Sequence, residues 1–119
     1  MNIPAFYQAI GHDCEDACKR LSSQAALEKF LPRFAQDETF FALCTAMEEN
    51  RPAEAFRAAH TLKGLAANFG FTHLYECSSA LTELLRAGSL LGTQDAFART
   101  KKAYFAVIDA MRQNGITES

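Results

Sequence analysis

A chain of 119 residues, 49% hydrophobic and 22% charged, has the length and composition of one soluble domain, 1–119, able to bury a core without cross-links. A formal charge of −2 gives no basis for recognising nucleic acid or an anionic bilayer through bulk charge. No run approaches the ~18 apolar residues of a spanning helix. The opening MNIPAFYQAIGHDCED lacks the basic-then-apolar order of a secretion signal, so a cytoplasmic protein with no membrane partner is expected.

The apolar period is helical along the whole chain. Ile3, Phe6, Tyr7 and Ile10 define a short first helix that Gly11 ends, and Asp13 is placed to cap a second over residues 14–21. Ser23 precedes a helix over 24–36 with Leu27, Phe30, Leu31 and Phe34 on one face; Pro32 is expected to kink or shorten it. Asp37 is the expected cap of a helix over 38–49, striped by Phe40, Leu43, Cys44 and Met47. Pro52 suits the first position of the next helix, which runs to Phe69 before Gly70. Thr72 is then expected to cap residues 73–87, closed by Gly88, and Thr93 to cap a last helix to about 113 with Phe97, Tyr104, Phe105, Ile108 and Met111 inward. No stretch alternates with period two. Short loops between helices of this length predict an all-α fold, an antiparallel up-down four-helix bundle with short additional N-terminal helices.

The four cysteines, Cys14, Cys18, Cys44 and Cys77, fall on apolar stripes, the last with Leu74, Leu81 and Leu84. Without CxxC spacing they read as packing residues, and no metal site is predicted. His12 follows a turn and His73 starts a helix, neither with the companions of a ligand set.

Residues 58–70, AAHTLKGLAANFG, hold a glycine inside an otherwise strong helix, at a cost of roughly 1 kcal/mol relative to Ala. On a wheel of about 100° per residue centred on Leu62, the residues Ala55, Ala58, Ala59, Leu65, Ala66 and Phe69 lie within roughly 60° of that centre. His60 falls about 160° away, with Gly64, Ala53, Arg57 and Ala67 on the same outer face and Lys63 on the flank. An outward imidazole is a nucleophile in its neutral form. Phosphoryl transfer needs in-line approach, positive charge near the phosphoryl oxygens and access for the other carrier. Lys63 provides the charge, and Gly64 and Ala67 the access. Phe56, at about 120° and one turn before His60, is either a hydrophobic contact for a partner or edge packing.

Residues 54–85, EAFRAAHTLKGLAANFGFTHLYECSSALTELL, resemble a histidine-containing phosphotransfer (HPt) domain, through Ala59, His60, Leu62, Lys63, Gly64 and Gly70. The resemblance covers most of the chain, because the family is a helical bundle of this length with the histidine helix in its middle. It implies phosphorylation of His60 on a ring nitrogen, with Lys63 beside the phosphate and Gly64 giving clearance. The family often has Glu or Gln 22 residues after the histidine, bonded to the other ring nitrogen; here Thr82 stands at that position and Glu83 follows. Thr82 is thus the candidate for orienting His60, through a hydroxyl without charge.

The expected function is that of a phosphorelay intermediate, taking a phosphoryl group from a receiver-domain aspartate and passing it to another receiver. The partners would be response-regulator receivers and, through them, a sensor histidine kinase, with Phe56 and Arg57 as candidate contacts. No cofactor is expected on this chain, the magnesium being on the partner receiver, and the carrier is expected to be a monomer. The alternative is a bundle that binds receiver or kinase domains without carrying phosphate; intact His60, Lys63 and Gly64 favour the carrier. An enzyme or metal-binding bundle lacks support: there are no clustered carboxylates and no phosphate-cradling glycine loop.

Overall fold

A computed structural model describes residues 1–11 and 23–116. The expected helix over 14–21, with Cys14 and Cys18, and His12 lie outside the described residues. Within them the chain forms α1 (Ile3–Ala9), α2 (Gln24–Gln36), α3 (Thr39–Glu48), α4 (Pro52–Phe69), α5 (Thr72–Leu85) and α6 (Gln94–Gln113), and no strand. The all-helical bundle follows the apolar periodicity.

Local chemistry sets the helix ends. The Asn2 side chain caps α1 by accepting from the Ala5 N–H at 3.1 Å, and Ser23 caps α2 in the same way through Ala26. α2 continues through Pro32 to Gln36, so the proline does not shorten it. Glu38, not the expected Asp37, holds the cap position of α3, which starts one residue later than expected; Asp37 stands just before it, and its carboxylate accepts from the Thr39 N–H at 2.8 Å. Pro52 opens α4, and Gly70 closes it in the left-handed conformation, φ 74°.

Two further expected caps are corrected. Thr72 is the first residue of α5 rather than its cap; Phe71 occupies the cap position, buried, and α5 ends at Leu85, short of the expected 87. Thr93 does hold the cap position of α6, but its hydroxyl turns back and donates to the Leu90 carbonyl at 2.6 Å.

α4 packs between α3 and α5, and α6 lies against α5. The ring closes through Phe40 of α3, stacked on Tyr104 of α6 at 4.0 Å and 8°. At one end of the bundle Phe34 of α2 meets Phe69, Phe71 and Tyr104 at 5.1 to 5.9 Å between ring centres. α1 seals this end: Phe6 packs edge-on against Phe71, and the Tyr7 hydroxyl donates to the Phe69 carbonyl at 2.7 Å. The Asn2 N–H donates to the Asn114 carbonyl, which fastens the two ends of the fold together.

Several predicted core positions lie at the margin. Cys44, Met47, Cys77, Phe30 and Phe97 are partly buried. Phe105 and Leu84, expected inward, are exposed; Phe105 keeps an edge contact with Phe40 while its outer face meets solvent. Burial pushes both the Cys44 and the Cys77 thiols up from their ordinary range, as suits packing residues rather than reactive thiolates.

Candidate functional site

α4 carries the site because one face of it is almost wholly small or apolar. Ala55, Ala59, Leu62, Ala66 and Phe69 are buried, whereas Ala58 and Leu65 are only partly so. The buried arc is therefore displaced by about 20° from Leu62 towards Ala59, the side on which Lys63 and Phe56 lie. Those two residues are half-buried as a result, and both are covered from α5.

His60 projects outward and is exposed. Gly64, one turn on, sits in regular helix without a positive φ, and a Cβ added there would meet no atom within 4 Å. Ala67 continues this low surface into a shallow depression of about 320 Å³ lined by Ala66, Ala67, Gly70, Thr72 and Tyr75. Beside His60 the helix thus offers an open approach about two turns long. Arg57 is also exposed, on the other flank from Phe56.

The covered flank holds the polar chemistry. The Phe56 ring lies 6.1 Å from the His60 ring, tilted by 36°. The Arg86 guanidinium, from the C-terminal end of α5, lies over the Phe56 ring, 5.0 Å from its centre. Arg86 forms a forked pair with Glu83, Nε to Oε2 at 3.2 Å and Nη2 to Oε1 at 3.1 Å. Lys63 Nζ lies 5.9 Å from the centre of the Tyr75 ring. The hydrogen bonds and charge of Arg86, with a smaller contribution from Lys63, hold the Glu83 carboxyl below the usual carboxylate range. Glu83 therefore feels both cations of the flank.

Thr82 does not face His60. It is fully buried, and its hydroxyl donates to the Ser78 carbonyl of its own helix at 2.7 Å. That intrahelical bond uses the proton of the hydroxyl, and the side chain points into the core. The structure brings His60, Phe56, Lys63 and Gly64 together as the wheel predicted and removes Thr82 from them. His73, away from this face, is exposed with Nε2 3.8 Å from Cys77 Sγ. Among the described residues no group of three or more His, Cys, Asp or Glu side chains is arranged to hold a metal ion.

Tyr75 and Arg86 are the site residues that the sequence reading missed. Eleven positions apart, they fall about 20° from each other on a helix wheel. Treating α5 as α4 was treated would have put them on one stripe facing the His60 helix.

Residues 27–114 match the family model of the Hpt domain. No curated protein and no solved structure matches the chain significantly.

Proposed function

The chain belongs to the Hpt domain family, and on that premise we propose that it is a phosphorelay carrier that accepts a phosphoryl group on His60 from the aspartate of one receiver and passes it to another. Hpt domains serve histidine phosphotransfer in two-component signalling and carry the group rather than catalyse a reaction of their own. The observation that supports His60 as the acceptor is its exposure beside Lys63 and the open approach over Gly64.

In the loading step a ring nitrogen of His60 attacks the phosphorus of the aspartyl phosphate. The phosphorus–oxygen bond breaks, its electron pair stays on the aspartate, and the imidazole releases its remaining proton to solvent. Unloading is the reverse with a second receiver. Lys63 offsets the charge on the transferring oxygens, and the small side chains let the two proteins meet at the separation that in-line transfer requires. Magnesium belongs to the receiver in this scheme, and the carrier acts as a cytoplasmic monomer.

The test is incubation with a phosphorylated receiver followed by intact-mass analysis at alkaline pH, where phosphohistidine survives. The parent chain gains one phosphoryl group; His60→Gln folds and gains none, while His12→Gln and His73→Gln behave as the parent. Label remaining on the His60 variant would overturn the assignment. Binding of the receiver without any gain of mass would mark the chain as an interaction module instead.

A further inference from the structure

The geometry points to a second role on this face, resting on the reading of His60 as the phosphoryl acceptor: Glu83 is a stand-in anion that holds Arg86 beside His60 until the phosphoryl group displaces it. The Arg86 guanidinium lies 5.0 Å and the His60 ring 6.1 Å from the centre of the same Phe56 ring. One phenyl ring is thus a neighbour of both the cation and the acceptor. That cation is not idle, because two of its three nitrogens engage the Glu83 carboxylate.

Every member of this pair is exposed, with side chains 56% and 59% accessible, so their attraction is weak and easily exchanged. A phosphoryl group is a stronger competitor, carrying close to two negative charges and three acceptor oxygens. Its fork of donors lets the guanidinium grip phosphate as it grips carboxylate. Phe56 is the shared surface of the exchange: the guanidinium lies over the ring that His60 also neighbours, with its bonded edge held by an exposed carboxylate. Glu83 is therefore a positioning residue, acting through Arg86. With His60 unmodified, Glu83 satisfies Arg86; with His60 phosphorylated, Arg86 joins Lys63 on the phosphoryl oxygens and Glu83 is released. Glu83 sets how much of that attraction the phosphoryl group keeps, since breaking the existing pair is part of the exchange.

The test loads His60 chemically, without a receiver. Phosphoramidate transfers its phosphoryl group to an imidazole: its phosphorus–nitrogen bond breaks, one to the ring nitrogen forms, and ammonia leaves. In a chain carrying His12→Gln and His73→Gln, His60 is the remaining histidine. Phosphorus NMR as a function of pH then gives the midpoint of the second phosphoryl ionisation. Glu83→Gln is expected to raise that ionisation constant by about two- to five-fold, the factor a surface ion pair supports, and Arg86→Gln to lower it by a similar factor. In the Arg86→Gln background, Glu83→Gln should have little effect. An equal effect of Glu83→Gln with and without Arg86 would reduce Glu83 to simple repulsion and overturn the exchange, as would no effect in either background. Failure of His60 to load would overturn it too. Loss of transfer to receivers with these shifts intact would strike the relay reading alone.

Discussion

A Cβ at position 64 would project into open space from a regular helix, so Gly64→Ala is expected to stabilise the fold by up to about 1 kcal/mol. A higher melting temperature on thermal unfolding checks this. Gly64→Gln should also fold, yet its longer side chain would stand one turn from His60, in the path of the receiver. Receiver-dependent phosphorylation of His60 should therefore fall steeply from Ala to Gln while the melting temperature does not. A Gln variant that unfolds would reveal a backbone role for the glycine. Lys63 is a residue of the same kind: it is half-buried, with its ammonium group 5.9 Å from the centre of the Tyr75 ring, one turn along the helix from His60. Lys63→Ala should melt within about 1 kcal/mol of the parent and exchange phosphate more slowly, measured as single-turnover transfer rates. Unchanged rates would remove the electrostatic role.

Among the elements, α5 separates what side-chain pattern decides from what it leaves open. Its buried hydroxyls bond back to their own helix, Ser78 to Leu74 and Thr82 to Ser78, so removing one leaves no orphaned donor. Thr82→Val is expected to keep stability within about 1 kcal/mol and to leave phosphorylation of His60 at the parent rate. A slowed rate in a normally folded variant would restore Thr82 as an orienting residue. The face of α4 was legible because a stripe of seven small or apolar residues, five of them buried, admits one orientation, which leaves His60 outside. Thr72 was misplaced because threonine serves as a cap or as a first-turn residue, and what decides here is Phe71, drawn into the core by Phe6 and Phe34. Phe105 and Leu84 were misread for a related reason. A helix wheel gives the direction of a side chain but not the width of the partner that covers it. Arg86 was missed because its significance comes from Phe56, thirty positions earlier on another helix.

Taken whole, the bundle has two unlike edges. The edge between α4 and α5 carries His60 and its cations, and the opposite one, between α3 and α6, exposes Phe41 and Phe105, 55% and 39% accessible. Because the two edges are separated by the core, Phe41→Gln should leave phosphate acceptance at His60 unaltered, read by intact mass after incubation with a phosphorylated receiver. A changed acceptance rate would mean that receivers reach across both edges. The clasp at the bundle end has a consequence for the order of folding. The Tyr7 hydroxyl finds its carbonyl 62 positions later, and the Asn2 amide finds its own at residue 114. On the ribosome, α1 therefore leaves the exit tunnel well before either acceptor exists, with Ile3, Phe6 and Tyr7 still unburied. Contacts this distant in sequence close late, because the loop entropy is lost before they repay it. α1 is therefore expected to dock after the other described helices, so that the helix bearing His60 assembles before its C-terminal end is locked.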